Sequence, residues 1–158
     1  MAKTTNDHET VATNRKAGFN YFLEDRLEAG LVLIGSEIKA IRAHKVNLSE
    51  GFIEERGGEL WLMDVHISEY KEAAQFGHKP TRPRKLLLKK KEINRLMGRV
   101  REKGYTIIPT VMYLKNGRAK VEIALAKGKK QYDKRDSIAE RETGRVLKRA
   151  LKEGRYED

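Results

Sequence analysis

Apolar and polar positions change pattern several times along this chain, and each change marks a predicted element. Residues 1–13 are polar without periodicity, which predicts a flexible N-terminal arm. An apolar alternation over residues 19–23 predicts the start of a first strand. The apolar run 31–34 predicts a short buried strand, and Gly30 before it predicts a bulge or bend.

Helical spacing is present twice in the middle of the chain. Ile38 and Ile41 lie three residues apart, which predicts a short helix over 36–43. Further along, apolar residues at positions i, i+3, i+4 and i+7 predict an amphipathic helix over 89–103. Gly104 follows it where a C-terminal glycine is expected to end a helix.

Turn residues between alternating runs predict two hairpins. The glycine pair at 57–58 and the Asn-Gly pair at 116–117 both allow positive φ at the two central positions. Pro109 places its strand at an edge or beside a bulge. Residues 71–84 read as a loop that leads into a short strand at 84–88.

The number and order of these elements predict the fold class. About six strands with two or three short helices, and no regular β-α-β rhythm, favour a mainly β protein. We therefore expect a small antiparallel barrel of the oligonucleotide-binding (OB) type. The predicted organisation is a flexible arm over 1–13, the barrel over 14–130 and a basic C-terminal tail over 131–158.

Composition narrows the setting of the protein. Of the 158 residues 39% are apolar and 36% charged, and no apolar run is long enough to span a membrane. The first residues lack the apolar segment of an export signal. The chain has no cysteine, which fits a reducing compartment. We expect a cytoplasmic protein without disulfides.

The positive charge is concentrated in the second half of the chain. The net charge is +11, and it divides into −4 over residues 1–76 and +15 over residues 77–158. Such asymmetry indicates a polyanion bound through one side or end of the molecule. A solvated surface that serves solubility is the alternative interpretation.

Two basic clusters are candidates for nucleic-acid contact. Residues 82–103 hold ten Lys and Arg residues against two Glu residues. In the predicted helix Lys91, Arg95 and Arg99 lie opposite the apolar stripe, as a row of cations matched to phosphates. A merely solvated helix face is the alternative. The second cluster is the Lys-rich segment 127–130, which Tyr132 follows as a stacking candidate.

Signals for catalysis are weak. The four histidines are scattered without metal-ligand spacing, and the phosphate-binding loop and nucleophile-elbow motifs are missing from the sequence. Asp64, Glu69 and Glu72 could hold Mg²⁺ for a nuclease, but an acidic trio of this kind is common. We expect a protein that is not an enzyme and needs no cofactor or metal.

The C-terminal segment combines a helix start with a poor core face. Residues 137–140, Ser-Ile-Ala-Glu, form a capping box that predicts a helix beginning near Ser137. After Ile138 no large apolar residue follows until Val146, and Gly144 weakens the helix between them. We expect a segment that folds on a partner. A helix docked on the barrel is the alternative.

Four segments of the chain are distinctive. They are Asn-Arg-Lys-Ala at 14–17; Glu-Ala-Gly-Leu at 28–31 with Gly-Ser-Glu-Ile-Lys at 35–39; Pro-Thr-Arg-Pro-Arg-Lys-Leu-Leu-Leu at 80–88; and Ala-Lys-Gly-Lys-Lys at 126–130 with Asp-Lys-Arg at 133–135. Through these segments the chain, from about Asn14 to Leu151, resembles the SsrA-binding protein (SmpB) family.

The resemblance implies an OB-type barrel that binds the tRNA-like domain of transfer-messenger RNA. It also implies delivery to stalled bacterial ribosomes in trans-translation, with the tail entering the empty mRNA channel as a helix. We expect a monomer when free. A ribosomal or general RNA-binding protein of the same fold, and a metal-dependent nuclease, are the other hypotheses.

The predicted contact residues form two sets. The family's RNA face falls on Glu28, Leu87 and Lys120, and its tail motif on Asp133, Lys134 and Arg135. The full RNA-binding set is Glu28, Lys39, Arg82, Arg84, Lys85, Leu87, Lys120, Lys127, Lys129 and Lys130. The full ribosome-engaging set, at the decoding centre of the small subunit and in the mRNA channel, is Tyr132, Asp133, Lys134, Arg135, Ile138, Arg141 and Arg145.

Overall fold

Nine strands and three helices make up the part of the chain that this computed structural model describes, residues 8–69, 77–102 and 104–129. The strands are β1 (His8–Thr13), β2 (Tyr21–Leu31), β3 (Val46–Asn47), β4 (Phe52–Arg56), β5 (Glu59–Met63), β6 (His66–Ile67), β7 (Arg84–Leu87), β8 (Tyr105–Lys115) and β9 (Arg118–Gly128). The helices are α1 (Arg15–Asn20), α2 (Gly35–Arg42) and α3 (Lys90–Val100).

Seven of the strands form one antiparallel sheet in the order β1-β8-β9-β2-β7-β5-β4, and β3 pairs with β6 in a separate ribbon. The sheet curls until β4 contacts β8. The predicted fold class, a mainly β antiparallel barrel with short helices, is confirmed, although the strand count is higher than about six.

The main core lies inside the curled sheet and draws on nearly every strand. Leu60, Leu62, Leu86, Met112, Ile123 and Leu125 are all completely buried there. Ile93 and Leu96 of α3 close this core, as the apolar spacing of that helix predicts. A smaller cluster of Ala17, Ile108 and Ala126 packs α1 against the opposite face of the sheet.

The start of the chain differs from the prediction. Residues 8–13 form β1, which pairs with β8 from His8↔Lys115 to Thr13↔Val111, so they are not part of a flexible arm. Only Val11 is buried in this strand, and the backbone ladder to β8 therefore holds a segment whose side chains give little signal. The first strand predicted to start within residues 19–23 begins at Tyr21, because residues 15–20 form α1.

Strand β2 also departs from its predicted details. Gly30 pairs regularly with β7 and β9, and the bulge lies earlier, between Glu24 and Leu27, where Asp25 has a φ of 51°. The predicted buried strand at 31–34 is wrong: β2 ends at Leu31, and Val32 and Ile34 are exposed.

Both predicted hairpins and two predicted helices are confirmed. Gly57 and Gly58 have positive φ values of 61° and 80° between β4 and β5. Asn116 and Gly117 also have positive φ values, between β8 and β9. Pro109 lies at a register shift in β8, the bulge that its sequence position indicated. The boundaries of α2 and α3 lie close to the predicted ones. The predictions for 70–76 and for the tail lie outside the described residues.

Candidate nucleic-acid interface

Three of the predicted RNA contacts meet on the outer face of the sheet, around Gly30 of β2. Gly30 pairs with Leu87 of β7 on one side and with Lys120 of β9 on the other. Glu28 lies two residues earlier in β2, and therefore on the same face as Gly30. The fold thus brings Glu28, Leu87 and Lys120 together from three adjacent strands. Leu87 is 54% exposed, which is unusual for a leucine in a strand and leaves an apolar contact surface.

Gly30 allows the close approach at the centre of this surface. A Cβ atom at residue 30 would lie 3.2 Å from the Cβ of Leu87. A pocket of about 270 Å³ opens beside these residues. Its lining includes the apolar residues Leu31, Leu33 and Ile38 and the cationic residues Arg42, Arg118 and Lys120. A pocket lined by both apolar and cationic residues suits a base or ribose with its phosphate.

Glu28 is held as a carboxylate in a defined orientation. Burial acts to raise the pKa of Glu28, but hydrogen bonds from Tyr113 and Lys115 outweigh it and lower the pKa below its ordinary value. The Lys115 ammonium lies 3.3 Å from the Glu28 carboxylate. Burial, and then the Glu28 carboxylate, raise the pKa of the Tyr113 hydroxyl. Tyr113 therefore remains a donor to Glu28.

A second carboxylate lies beside Glu28 on the same face. Glu122 is the β9 residue paired with Glu28, and it accepts from Arg26 at 3.3 Å and from the Thr110 hydroxyl. The surface therefore mixes fixed acceptors with cations. Carboxylates cannot bind phosphate, but they accept hydrogen bonds from base amino groups and ribose hydroxyls. Such a surface is better suited to selecting one folded RNA than to binding polyanions in general.

The prediction that Arg84 contacts RNA is wrong. Its side chain is completely buried, and its Nε donates to Glu37 at 2.5 Å. The remaining guanidinium nitrogens donate to the carbonyl oxygens of Val65 at 2.7 Å and Pro80 at 3.0 Å. All three guanidinium nitrogens of Arg84 therefore donate to groups of the protein itself. Arg82 binds the other oxygen of Glu37 at 2.5 Å but keeps 32% of its side chain exposed.

Glu37 is the centre of this buried network, which sequence reasoning missed. Burial acts to raise its pKa, but hydrogen bonds from Arg82, the Ile34 backbone and Arg84 lower it overall. Burial lowers the pKa of Arg84, against the effect of Glu37. The network joins α2 to the start of β7, the strand that carries Leu87. Its signal in the sequence is that Glu37 shares the buried side of α2 with Ala40 and Ile41.

Ser36 and His78 complete the attachment of the segment before β7. The hydroxyl of Ser36, in the first turn of α2, lies 2.9 Å from Nδ1 of His78. The other ring nitrogen, Nε2, lies 2.8 Å from the carbonyl oxygen of Ile67. Both ring nitrogens are therefore used within the body, which makes His78 a structural residue.

The remaining predicted RNA contacts lie at the edges of the surface or elsewhere. Lys85 precedes Leu87 by two residues on β7 and therefore lies on the same face of the sheet. Its ammonium lies 3.9 Å from the Glu59 carboxylate. Lys39 is exposed on α2. Lys130 and the ribosome-engaging set lie outside the described residues.

Lys127 and Lys129 belong to a separate group at the other end of β9. Lys127 pairs with Phe22 of β2 and with Tyr105 of β8, so an aromatic–lysine–aromatic row crosses three strands. The ammonium of Lys129 lies 5.0 Å from the centre of the Phe22 ring. Phe22 is 51% exposed. The apolar pattern over residues 19–23 does not indicate that the Phe22 side chain is exposed.

The predicted row of cations on α3 is only partly present. Lys91 and Arg95 are exposed, as expected. Arg99 instead faces the body, where its guanidinium lies 3.4 Å from Glu24, 3.5 Å from Asp25 and 5.1 Å from the centre of the Tyr105 ring. The helix therefore offers a shorter cationic row than its sequence spacing indicated.

The described residues show neither a metal-binding cluster nor a membrane-spanning helix. Within residues 8–69, 77–102 and 104–129 no three His, Asp or Glu side chains converge in a way that could hold a metal ion. The hypothetical acidic trio includes Glu72, which lies outside those ranges. No helix in the same part of the chain is both long and apolar enough to cross a membrane.

Comparison with known proteins gives consistent matches along nearly the whole chain. Residues 11–153 match the family described as SmpB protein. A protein named SsrA-binding protein from Limosilactobacillus reuteri (strain DSM 20016) is 55% identical over 155 residues, which cover 96% of this chain and 99% of that protein. A protein of the same name from Roseiflexus sp. (strain RS-1) is 55% identical over 97% of this chain and 98% of its own.

A third relative and a solved structure agree with these matches. The SsrA-binding protein of Symbiobacterium thermophilum is 52% identical over the full length of both chains. A solved chain reported as "tmRNA-SmpB: a journey to the center of the bacterial ribosome" superposes with a TM-score of 0.65 at 40% identity, covering 76% of this chain and 85% of that one.

Proposed function

Because this chain belongs to the SmpB protein family, we propose that it binds the tRNA-like domain of transfer-messenger RNA and delivers that RNA to stalled ribosomes in trans-translation. Relatives named SsrA-binding protein and the solved tmRNA-SmpB neighbour support this function. The protein acts as an adaptor in the cytoplasm, as a monomer, and needs neither catalysis nor a cofactor.

The observation that carries the proposal is the assembly of Glu28, Leu87 and Lys120 around Gly30. Each supplies a different kind of contact. Glu28 accepts hydrogen bonds from base or ribose donors, Leu87 packs on an unstacked base or a ribose, and Lys120 neutralises a phosphate. Lys39, Arg82 and Lys85 extend the surface. This combination recognises the shape of a folded RNA, which charge alone does not.

We propose a different role for residues 131–158. They follow directly on β9, and their capping box and sparse apolar positions fit a helix completed by a partner. In this proposal the tail becomes helical in the empty mRNA channel, near the decoding centre of the small subunit. The residues proposed to engage the ribosome are Tyr132, Asp133, Lys134, Arg135, Ile138, Arg141 and Arg145.

Truncation after Lys130 tests this division of roles. The truncated chain should bind the tRNA-like RNA with an affinity within about twofold of the full chain, because the outer-face surface is intact. It should fail to support peptide tagging on stalled ribosomes in a reconstituted translation system. The matched control is a full-length chain with Lys134→Ala and Arg135→Ala, which should bind equally well and tag poorly.

Competition with bulk tRNA separates the proposal from general RNA binding. At moderate salt the full chain should prefer the tRNA-like RNA over excess bulk tRNA, since purely electrostatic binding shows no such preference. Equal competition by bulk tRNA would contradict the proposed function. Loss of RNA binding on truncation would contradict the separate role of the tail.

A further inference from the structure

A second exposed surface, which we call the tail-root row, consists of Phe22, Tyr105, Lys127 and Lys129. The register places Phe22 and Tyr105 on either side of Lys127. The Lys127 ammonium lies 5.9 Å from the centre of the Tyr105 ring, and the Lys129 ammonium lies 5.0 Å from that of Phe22. The Lys129 ammonium also donates to the carbonyl of Gly18 at 2.9 Å. The row is thus a fixed arrangement of aromatic rings and cations.

The row is well separated from the outer-face surface around Gly30. Lys127 follows Lys120 by seven residues along β9, a distance of about 24 Å in an extended strand. The two lysines also lie on opposite faces of the sheet, because Val121, Ile123 and Leu125 point into the core and Lys127 continues their alternation. A single nucleotide cannot contact both surfaces, so the row would contact different nucleotides from those that meet Lys120.

The charges near the row favour an anionic partner. Two carboxylates at the bulge of β2, those of Glu24 and Asp25, are both paired with Arg99. The row itself contains two cations and no acid. An aromatic side chain that is 51% exposed, with ammonium groups beside it, offers stacking for a base and a counter-charge for its phosphate.

We propose that the tail-root row is a second RNA contact, in which one unpaired nucleobase stacks on Phe22 and the phosphates on either side of it meet Lys127 and Lys129. The proposal rests on the proposed function, since the base belongs either to the tRNA-like RNA or to ribosomal RNA. It extends that function by adding a stacking contact at the point where the tail begins.

The test compares stacking and non-stacking side chains at residue 22 in the full-length chain. Phe22→Leu keeps an apolar side chain without an aromatic ring, and Phe22→Trp keeps the ring. A base that stacks on an aromatic side chain contributes roughly 1–3 kcal/mol. Phe22→Leu should therefore weaken RNA binding about fivefold or more, with an unchanged salt slope, while Phe22→Trp should stay within about twofold of the original.

Two binding measurements identify the source of the base. The first uses a transcript of the tRNA-like domain, and the second uses purified stalled ribosomes with the preformed protein–RNA complex. A loss in the first assigns the base to the tRNA-like RNA, and a loss in the second alone assigns it to ribosomal RNA. The control is Phe52→Leu, since Phe52 of β4 is also exposed, at 36%, and should change neither affinity.

Unchanged binding of Phe22→Leu in both measurements, or equal losses for Phe22→Leu and Phe22→Trp, would overturn the inference. The proposed function fails by a different result. If the original chain shows no preference for the tRNA-like RNA over bulk tRNA, the function itself is wrong. If that preference is present but the residue 22 variants behave alike, only the tail-root row is wrong.

Discussion

The hydroxyl of Tyr113 holds Glu28 in place, and so belongs to the proposed RNA surface without facing the RNA. Tyr113 lies on β8 with only 8% of its surface exposed. Its hydrogen bond and that of Lys115 keep the pKa of Glu28 lowered despite the opposing effect of burial. A fixed acceptor loses less conformational freedom on binding than a mobile one. Tyr113 therefore acts as a positioning residue.

Removing this hydroxyl should weaken RNA binding without unfolding the barrel. We expect Tyr113→Phe to lower the affinity for the tRNA-like RNA roughly three- to tenfold, the usual value of one hydrogen bond. The pKa of Glu28 should rise, because a hydrogen bond to its charged form is lost. NMR titration of the Glu28 carboxyl and a binding isotherm measure the two effects. Tyr21→Phe, at a tyrosine that packs on the smaller core cluster, is the control, and an unchanged Glu28 pKa in Tyr113→Phe would contradict the expectation.

For single residues, the resemblance rather than composition or spacing singled out Glu28, Leu87 and Lys120 as predicted RNA contacts. Composition and spacing showed that cations were abundant, but they did not distinguish Lys120 on the surface from Arg84 in the interior. Arg84 is completely buried because Glu37, forty-seven residues earlier, forms an ion pair with it. That partner depends on the packing of α2 beside β7, which neither local propensity nor charge counting can reveal.

At the scale of elements, the Glu37 network determines how α2 and the start of β7 fit together. One carboxylate accepts from Arg82, from Arg84 and from the backbone N–H of Ile34. Local patterns had located both elements correctly. They did not show that Glu37 joins the two elements, because a single buried carboxylate leaves no periodic pattern in the sequence.

Glu37→Gln should strongly destabilise the protein. Removing one partner of a buried ion pair leaves an uncompensated charge, and we expect a loss of about 3–5 kcal/mol in the free energy of unfolding. Glu54→Gln, which breaks the exposed pair with Arg56, is the control and should cost less than about 1 kcal/mol. Urea unfolding at neutral pH measures both. Similar losses in the two variants would contradict the assigned role of Glu37.

The same carboxylate should make stability depend on acid. The pKa of Glu37 in the folded protein is below its ordinary value of 4.5. Its stabilising contribution is therefore fully present above pH 4.5 and is lost as the pH falls through the folded value. The melting temperature should decline in that window, and the decline should be shallower in Glu37→Gln. Equal slopes in the two chains would assign the acid sensitivity to other groups.

Two glycines should respond in opposite directions to replacement by alanine. A Cβ at Gly51 would lie 2.6 Å from Val65 Cγ2 and 2.9 Å from Pro109 Cγ, where β4 approaches β8. Gly51→Ala should therefore destabilise the barrel by roughly 1–3 kcal/mol. Gly98 lies inside α3, where an added Cβ would meet no atom within 4 Å outside its own stretch of helix, and Gly98→Ala should stabilise by up to about 1 kcal/mol. Thermal unfolding of both variants tests the contrast.

At the scale of the whole molecule, the two halves of the chain are interleaved. Strand β2, from the acidic half, lies between β9 and β7 from the basic half. The division into −4 and +15 therefore does not produce an acidic lobe and a basic lobe.

The prediction of an antiparallel barrel was correct because hairpins and amphipathic helices leave local patterns. The edge strand β1 and helix α1 were missed because pairing with β8 and packing on the sheet stabilise them.

The proposed RNA surface contains both cationic and apolar contacts. We expect salt to weaken the contribution of the cationic contacts but not that of the apolar ones. Lys120→Ala should reduce the slope of log affinity against log salt by roughly one phosphate contact. Leu87→Ala should lower the affinity by a similar amount at one salt concentration but leave the slope unchanged, since it removes no charge. Binding isotherms between low and physiological salt measure both. A change of slope in Leu87→Ala would contradict the assigned contacts.

The anchoring of the end of β9 matters for a protein proposed to bind RNA through its barrel and the ribosome through its tail. Gly128 pairs with Tyr21, and the backbone N–H of Lys129 donates to the Asn20 carbonyl at 2.8 Å. The last described residues, Gly128 and Lys129, are therefore held on the barrel by backbone hydrogen bonds. If the barrel binds the RNA and the tail engages the ribosome as proposed, engagement of the tail is an intramolecular step with a high effective concentration. Neither contact then needs to be tight, and lasting attachment is expected on ribosomes that offer both.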